Sequence, residues 1–352
     1  MFQNFNRQRG KRGRRVRSGV AGGISAITLA AGLAWAAAPA AQAASTFYEV
    51  AYHTNTGFLA LVGVQVNGVT TLPIMPGSSP SITLENADPA IQPEQPPTPV
   101  VAYADNNDRL TTFGLGQNGL LTNLGFIVAP GTSPSISCFA ESGCVVAFHS
   151  STGDVMTFGK TDGLRDWGPA APDTSPSITT SASGPTYEVA FQNTSGNLVT
   201  AGTFDNHGAR ALGMKAHTSP SITLLTNGSY EVAFQANTGN LWTVGEDGVG
   251  HNSGLGMMAG TNPAITLQNG SYEVAFQANT GSLWTVGSDN HGSWNLGMKA
   301  GTSPAITPNA LGNQYEVAFQ ANTGDPWTVG SDNHDAWHPG MAAGTSPSLI
   351  AD

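Results

Sequence analysis

The chain has 352 residues, and only 10% of them are charged, far below the roughly 25% usual for soluble domains. Seven of its 13 basic residues fall within the first 17 positions, so six remain beyond them against 23 acidic residues, a balance of about −17. No basic stripe is left to neutralise phosphates, which argues against a nucleic-acid partner.

The first 43 residues read as a signal peptide. Arg7, Arg9, Lys11, Arg12, Arg14, Arg15 and Arg17 form a basic n-region, an apolar stretch runs over 20–38, and Ala41-Gln42-Ala43 is a small-residue cleavage site. The mature chain would begin at Ala44 and be secreted, with no membrane span. Arg14-Arg15 admits a twin-arginine reading, but the residues after the pair fit the general secretion route better.

From there the chain repeats itself. A Ser/Asn-Pro-Ser/Ala-Ile/Leu step ends at Ile82, Ile136, Ile178, Ile222, Ile265, Ile306 and Leu349, with separations of 54, 42, 44, 43, 41 and 43 residues. That period is close to that of a four-stranded propeller blade. Each copy opens with the Pro-containing step as a first strand, since a strand tolerates proline at its start. A second strand comes next, Tyr-Glu-Val-Ala-Phe-Gln at 187, 230, 272 and 315, with a variant at 48. Asn-Thr-Gly at 237–239, 279–281 and 322–324 supplies a hairpin turn into Leu-Trp-Thr-Val-Gly or its variant, and Leu-Gly-Met at 212–214, 255–257 and 296–298 makes a short fourth strand. No helical period interrupts this pattern. The predicted fold is therefore all-β, a seven-bladed propeller of four-stranded antiparallel blades over 44–352.

The phase of the repeat predicts how the ring closes. The mature chain enters on a second strand at Tyr48 and leaves on a first strand at 346–350, so the two ends can complete one blade. Two features break the period. Residues 85–99 carry Pro89, Pro93, Pro96, Pro97 and Pro99 and read as an exposed acidic loop. Cys138 and Cys144 flank a short turn between two predicted strands and read as a disulfide across one hairpin.

Alternation on the second strand puts Glu188, Glu231, Glu273 and Glu316 on one face with Gln192, Gln235, Gln277 and Gln320. Each Glu is expected to be satisfied by backbone or hydroxyl groups of the adjacent blade, direct contact with a ligand being the second reading. Copies two and three have Val100 and Val145 instead. Two readings stand for Trp242, Trp284 and Trp327 on the third strand: packing at the seam between blades, or platforms for the apolar face of a sugar. Trp294 and Trp337 lie near the fourth strand. Asp205-Asn206-His207, Asp289-Asn290-His291 and Asp332-Asn333-His334 either form tight loops or contact a ligand, with His251 in the altered copy.

Metal binding is not expected, because histidines at one place on successive blades rotate away from each other. No cofactor is expected, and the carboxylates repeat by blade instead of forming a single pair, so an enzyme is not expected either.

The Ser-Pro-Ala-Ile strand, the Asn-x-Leu-Trp strand, the period near 43 and the seven copies resemble the secreted seven-bladed propeller lectins of the PVL-like group. They are equally similar to repeat modules of exported actinobacterial proteins. The resemblance implies a multivalent, non-enzymatic lectin with fucose- or N-acetylglucosamine-type glycans as partners, held in grooves between adjacent blades. It points to Trp242, Trp284 and Trp327 as stacking platforms, with the Asp-Asn-His triplets, Trp294 and Trp337 beside them. Copies one to three lack these signatures, so about four sites at most are implied. A protein-binding or cell-envelope scaffold and a propeller hydrolase are the competing functions.

Overall fold

The computed structural model describes residues 48–63, 67–85, 97–114, 120–139, 143–159, 162–181, 184–204, 208–289, 292–309, 313–330 and 339–351. The signal tract, most of the Pro-rich insertion, the triplets at 205–207 and 332–334, Asn290, His291 and Trp337 lie outside these.

Each repeat builds one antiparallel sheet. Blade 1 joins β27 (Ser348–Ala351) to β1 (Tyr48–His53), β2 (Phe58–Gly63) and β3 (Asn67–Pro73). Blade 2 is β4 (Ser81–Glu85), β5 (Thr98–Ala104), β6 (Arg109–Gly114) and β7 (Leu120–Ile127). Blade 3 is β8 (Ser135–Cys138), β9 (Cys144–His149), β10 (Asp154–Gly159) and β11 (Gly163–Pro169). Blade 4 is β12 (Ser177–Thr180), β13 (Tyr187–Gln192), β14 (Asn197–Gly202) and β15 (Gly208–Gly213). Blade 5 is β16 (Ser221–Leu224), β17 (Tyr230–Gln235), β18 (Asn240–Gly245) and β19 (Gly250–Gly256). Blade 6 is β20 (Ala264–Gln268), β21 (Ser271–Gln277), β22 (Ser282–Gly287) and β23 (Gly292–Gly297). Blade 7 shows β24 (Ala305–Pro308), β25 (Tyr315–Gln320) and β26 (Pro326–Gly330) among the described residues. The protein is a seven-bladed propeller with no helix in its described residues.

The ring closes as the phase of the repeat predicts. β27 pairs with β1 in the register Tyr48↔Ala351 to Ala51↔Ser348, so the last strand is the innermost strand of the first blade. The fourth strands run longer than the Leu-Gly-Met step suggests, because the loop residues before it also pair with the third strand. The last residue of that step reaches out of its own blade: Met214, Met257, Met298 and Met341 form isolated bridges to Ala236, Ala278, Ala321 and Thr54 of the next blade. Ile74, Val128 and Ala170 do the same from blades 1 to 3.

A second circuit runs through the Ser-Pro steps. The Ser79 amide donates to Ser133 Oγ (2.9 Å), Ser133 to Ser175 (2.9 Å), Ser175 to Ser219 (2.8 Å) and Ser219 to Asn262 Oδ1 (2.7 Å). Asn262 donates to Ser303 (2.8 Å), Ser303 to Ser346 (3.0 Å), and Ser346 back to Ser79 (2.9 Å). One side-chain acceptor per blade thus satisfies the amide that the following proline leaves outside the ladder. This is why the landmark of the repeat is a small polar residue before proline.

The core is divided among the seams. Each of seven apolar clusters joins two neighbouring blades; one example unites Ala233 and Leu241 of blade 5 with Val274 and Phe276 of blade 6. Alternation sets the two faces of every sheet. Toward the following blade point Glu231, Ala233, Gln235 and Thr243; toward the preceding one point Val232, Phe234, Trp242 and Val244. Hairpin turns, Met bridges and the Ser circuit all lie on one face of the disc. The ends of the strands at the Tyr-Glu step open on the other.

Candidate functional site

On that open face five of the seven seams repeat one small construction. The start of the second strand contributes Tyr, whose hydroxyl crosses the seam to a third-strand Thr of the preceding blade. The pairs are Tyr187 with Thr157 (2.9 Å), Tyr230 with Thr200 (3.3 Å), Tyr272 with Thr243 (3.2 Å), Tyr315 with Thr285 (3.0 Å) and Tyr48 with Thr328 (3.3 Å). Beneath them lies the second-strand Glu, buried in blades 1, 4, 5, 6 and 7 as Glu49, Glu188, Glu231, Glu273 and Glu316. Each Glu faces a third-strand glycine of its own blade: Gly63, Gly202, Gly245, Gly287 and Gly330. Two of these carboxylates are met from within their own blade. Glu231 bonds to Thr243, and the Asp289 amide donates to Glu273 Oε2 (3.2 Å). The reason is geometric: an absent Cβ opens space directly across the strand pair, closer than the next sheet.

A fourth-strand residue then covers the Tyr-Thr pair. In blade 3 it is Trp167, whose Nε1 donates to Thr157 Oγ1 (2.9 Å) while its ring meets Tyr187 edge-on. Blade 4 uses Arg210, which donates from Nε to Thr200 Oγ1 (3.2 Å) and from Nη2 to the Tyr230 hydroxyl (2.7 Å). Trp294 fills the place in blade 6, donating to Thr285 Oγ1 (3.0 Å). Blade 5 has Ser253, whose hydroxyl turns back to the Leu241 carbonyl (2.8 Å) and leaves the pair uncovered.

The consequence is an open groove between blades 5 and 6. It has a volume of about 650 Å³ and is lined by Ser229, Tyr230, Glu231, Gly245, Glu246, Asp247, His251 and Tyr272. Glu231 forms its floor at 8% exposure, whereas Glu246, Asp247 and His251 stand in solvent at its rim. Burial pushes the Glu231 carboxyl above its ordinary range, and Asp247 adds to this; Thr243 and His251 pull the other way. Glu273 in the next seam is pushed up to about 8, first by burial and then by the Asp289 carboxyl beside it. Asp289 also accepts from the Tyr315 hydroxyl (2.7 Å), tying that seam shut alongside Trp294.

Three solved structures share this architecture. AofleA from Arthrobotrys oligospora is 12% identical, with 77% of this chain and 89% of that chain aligned at a TM-score of 0.51. The lectin SapL1, solved with α-methyl fucoside, is 13% identical over 75% of this chain and 97% of its own, at 0.52. The lectin of Aleuria aurantia, a six-bladed propeller, is 13% identical over 76% and 96%, at 0.50. The likeness is one of fold. This chain closes with seven blades where the Aleuria lectin closes with six, which changes the curvature and leaves part of this ring unmatched. The sequence matches no protein-family profile and no curated protein.

The residues singled out in the sequence fall into two groups. Trp242, Trp284 and Trp327 are half-buried in the apolar clusters of the seams, Trp242 tilted against Phe234 and Trp284 against Phe276. Trp284 belongs to the wall of the seam below the open groove, with Tyr272 and Leu255. Trp294 and Asp289 lie on the blade 6–7 seam, and His251 on the open groove itself. Asp205, Asn206, His207, Asn290, His291, Asp332, Asn333, His334 and Trp337 lie outside the described residues.

Sequence reasoning missed the Tyr-Thr pair and its cover. Counting back four residues from Met214, Met257 and Met298 reaches Arg210, Ser253 and Trp294, a signal the repeat did contain. Among the described residues no group of His, Cys, Asp and Glu is arranged to hold a metal ion. Cys138 and Cys144 are register partners on β8 and β9 and form a disulfide.

Proposed function

We propose that this protein is a secreted, non-enzymatic carbohydrate-binding propeller whose principal site is the groove between blades 5 and 6. The observation that carries the reading is the open groove itself: a carboxyl at its floor, the hydroxyl of Tyr272, which is bonded to Thr243 behind it, and further polar groups at its rim. Sugars present a dense set of donors and acceptors on a small body, and a few placed polar groups in a concave site suit them. The shared fold with lectins solved bound to fucosides supports the same reading. The seams at blades 4–5 and 6–7 carry the same Glu, Thr and Tyr but are covered by Arg210 and Trp294, which favours the blade 5–6 groove among the described residues.

The signal tract at 1–43 supports export, and a propeller spanning 44–352 is the proposed mature unit. A glycan array that includes fucosylated and N-acetylglucosamine-terminated glycans, read with the purified protein, tests the function. Binding to a defined glycan set, competed by the free sugar and lost in Glu231→Gln, is the expected result. An array empty at high protein concentration defeats it.

A further inference from the structure

We infer that the groove between blades 5 and 6 selects sugars that carry a free amine, because the protein fills the matching place in blade 4 with a cation of its own. This inference rests on the carbohydrate-binding reading above and names the ligand class.

Two neighbouring seams differ in the residue that covers the Tyr-Thr pair. In blade 4 the Arg210 guanidinium lies over Thr200 and Tyr230, giving them two donors and a positive charge. The buried Glu188 is the acid of that seam, and both Glu188 and Arg210 act electrostatically on the Tyr230 hydroxyl. Blade 5 keeps every acceptor of the set as Thr243, Tyr272 and Glu231. The guanidinium is missing, because Ser253 stands where Arg210 stands and its hydroxyl is used by the Leu241 carbonyl; the one base in the lining is His251, exposed at the rim.

The rim makes the deficit larger. Glu246 and Asp247 add two carboxylates, and the lining holds neither Lys nor Arg. A buried carboxyl is costly to ionise, and the rim imidazole of His251 offsets the burial of Glu231 only in part; an ammonium seated above it would restore the balance that Arg210 provides one blade earlier. An ammonium on a sugar ring brings three donors to the Thr-Tyr pair while its ring occupies the space that Trp167 or Trp294 fills in other seams. Neutral N-acetyl or deoxy sugars supply no such charge.

Calorimetric titration of the purified protein with fully deacetylated chitotriose, with its N-acetylated counterpart and with methyl α-fucoside tests this directly. The amine form is expected to bind at least tenfold more tightly than either neutral ligand. Ser253→Arg, which supplies the cation from within, should abolish amine binding with an unchanged melting temperature, and Glu231→Gln should weaken it at least tenfold. Should Ser253→Arg fail to fold, Glu231→Gln and the amine-to-acetyl ratio still decide the question. Equal affinity for the amine and acetyl forms, or amine binding untouched by both substitutions, overturns the inference. If neutral glycans bind while the amine confers no advantage, the carbohydrate-binding reading survives and the inference alone falls. If no glycan of any kind binds, both fall.

Discussion

Glu188 lies directly across the strand pair from Gly202, and a Cβ placed on that glycine would come within 2.8 Å of the Glu188 Cα. The side chain of one residue occupies the space that the other leaves. Gly202→Ala should therefore destabilise the protein by about 1–3 kcal/mol, the usual cost of overpacking. Blade 2 provides the control. There Val100 stands opposite Gly114, and an added Cβ would meet nothing closer than Val100 Cγ2 at 3.7 Å. Gly114→Ala should be neutral or raise stability by up to about 1 kcal/mol through a stiffer unfolded chain. Urea unfolding of the two variants separates a requirement for glycine from a habit of the repeat.

The acid pair at the blade 6–7 seam predicts a pH dependence of stability. Glu273 is raised from 4.5 to about 8 by burial and by its hydrogen bond and repulsion with Asp289. The folded state then holds a proton that the unfolded chain releases near 4.5. Stability from this group is full below about pH 4.5, falls as pH rises and stops falling above about pH 8. The slope cannot exceed about 1.4 kcal/mol per pH unit. Glu273→Gln, which cannot ionise, should flatten the profile between pH 5 and 8 and be more stable than the parent at pH 9. A parent profile that matches that of Glu273→Gln over this interval would show that the carboxyl is already ionised in the folded state.

Much of this fold was legible because repetition multiplies a weak signal: one Ser-Pro-Ala-Ile step says little, but seven at a common spacing fix blade number, strand order and the phase of closure. The site was less legible, for two reasons. Tyr187 and Thr157 are about 30 residues apart and meet only because alternation turns one forward and the other back across a seam. The residue that covers them varies among Trp, Arg and Ser, and each third-to-fourth strand register contains an irregularity that hides the alignment. Trp242 and Trp284, conspicuous in the repeat, lie half-buried against the apolar clusters of their seams. The open groove instead arises from Ser253, a residue that draws attention only when set beside Arg210 and Trp294.

Closure by the last strand is a further measurable claim. β27 places Leu349 and Ile350 at 6% and 9% exposure and completes the inner edge of blade 1. Deleting residues 348–352 removes both side chains, each contributing about 1.5–3 kcal/mol when buried, and exposes the edge of β1. The melting temperature should fall by about 5–10 °C relative to the full chain, since 3 kcal/mol is a large part of typical domain stability. A synthetic peptide covering the deleted segment should restore part of the loss. An unchanged melting temperature would mean that the ring does not depend on pairing its ends.

A further circuit of first-strand serines is incomplete. In five seams a first-strand serine accepts from the first-strand amide of the next blade: Ser348 from Ile82, Ser81 from Ile136, Ser135 from Ile178, Ser177 from Ile222 and Ser221 from Ile265, all at 3.0–3.2 Å. The two remaining seams have Ala264 before Ile306 and Ala305 before Leu349, so neither amide has this acceptor. Both alanines are only partly buried, which leaves room for a hydroxyl. Ala264→Ser and Ala305→Ser should each stabilise by about 0.5–1 kcal/mol, and Ser135→Ala should cost about 1 kcal/mol. Amide hydrogen exchange at Ile306 and Leu349 gives the sharper readout, because slower exchange at those two positions in the serine variants would come from the new bond itself. If exchange there is unchanged while stability rises, the gain comes from another source and the circuit is not what the serines support.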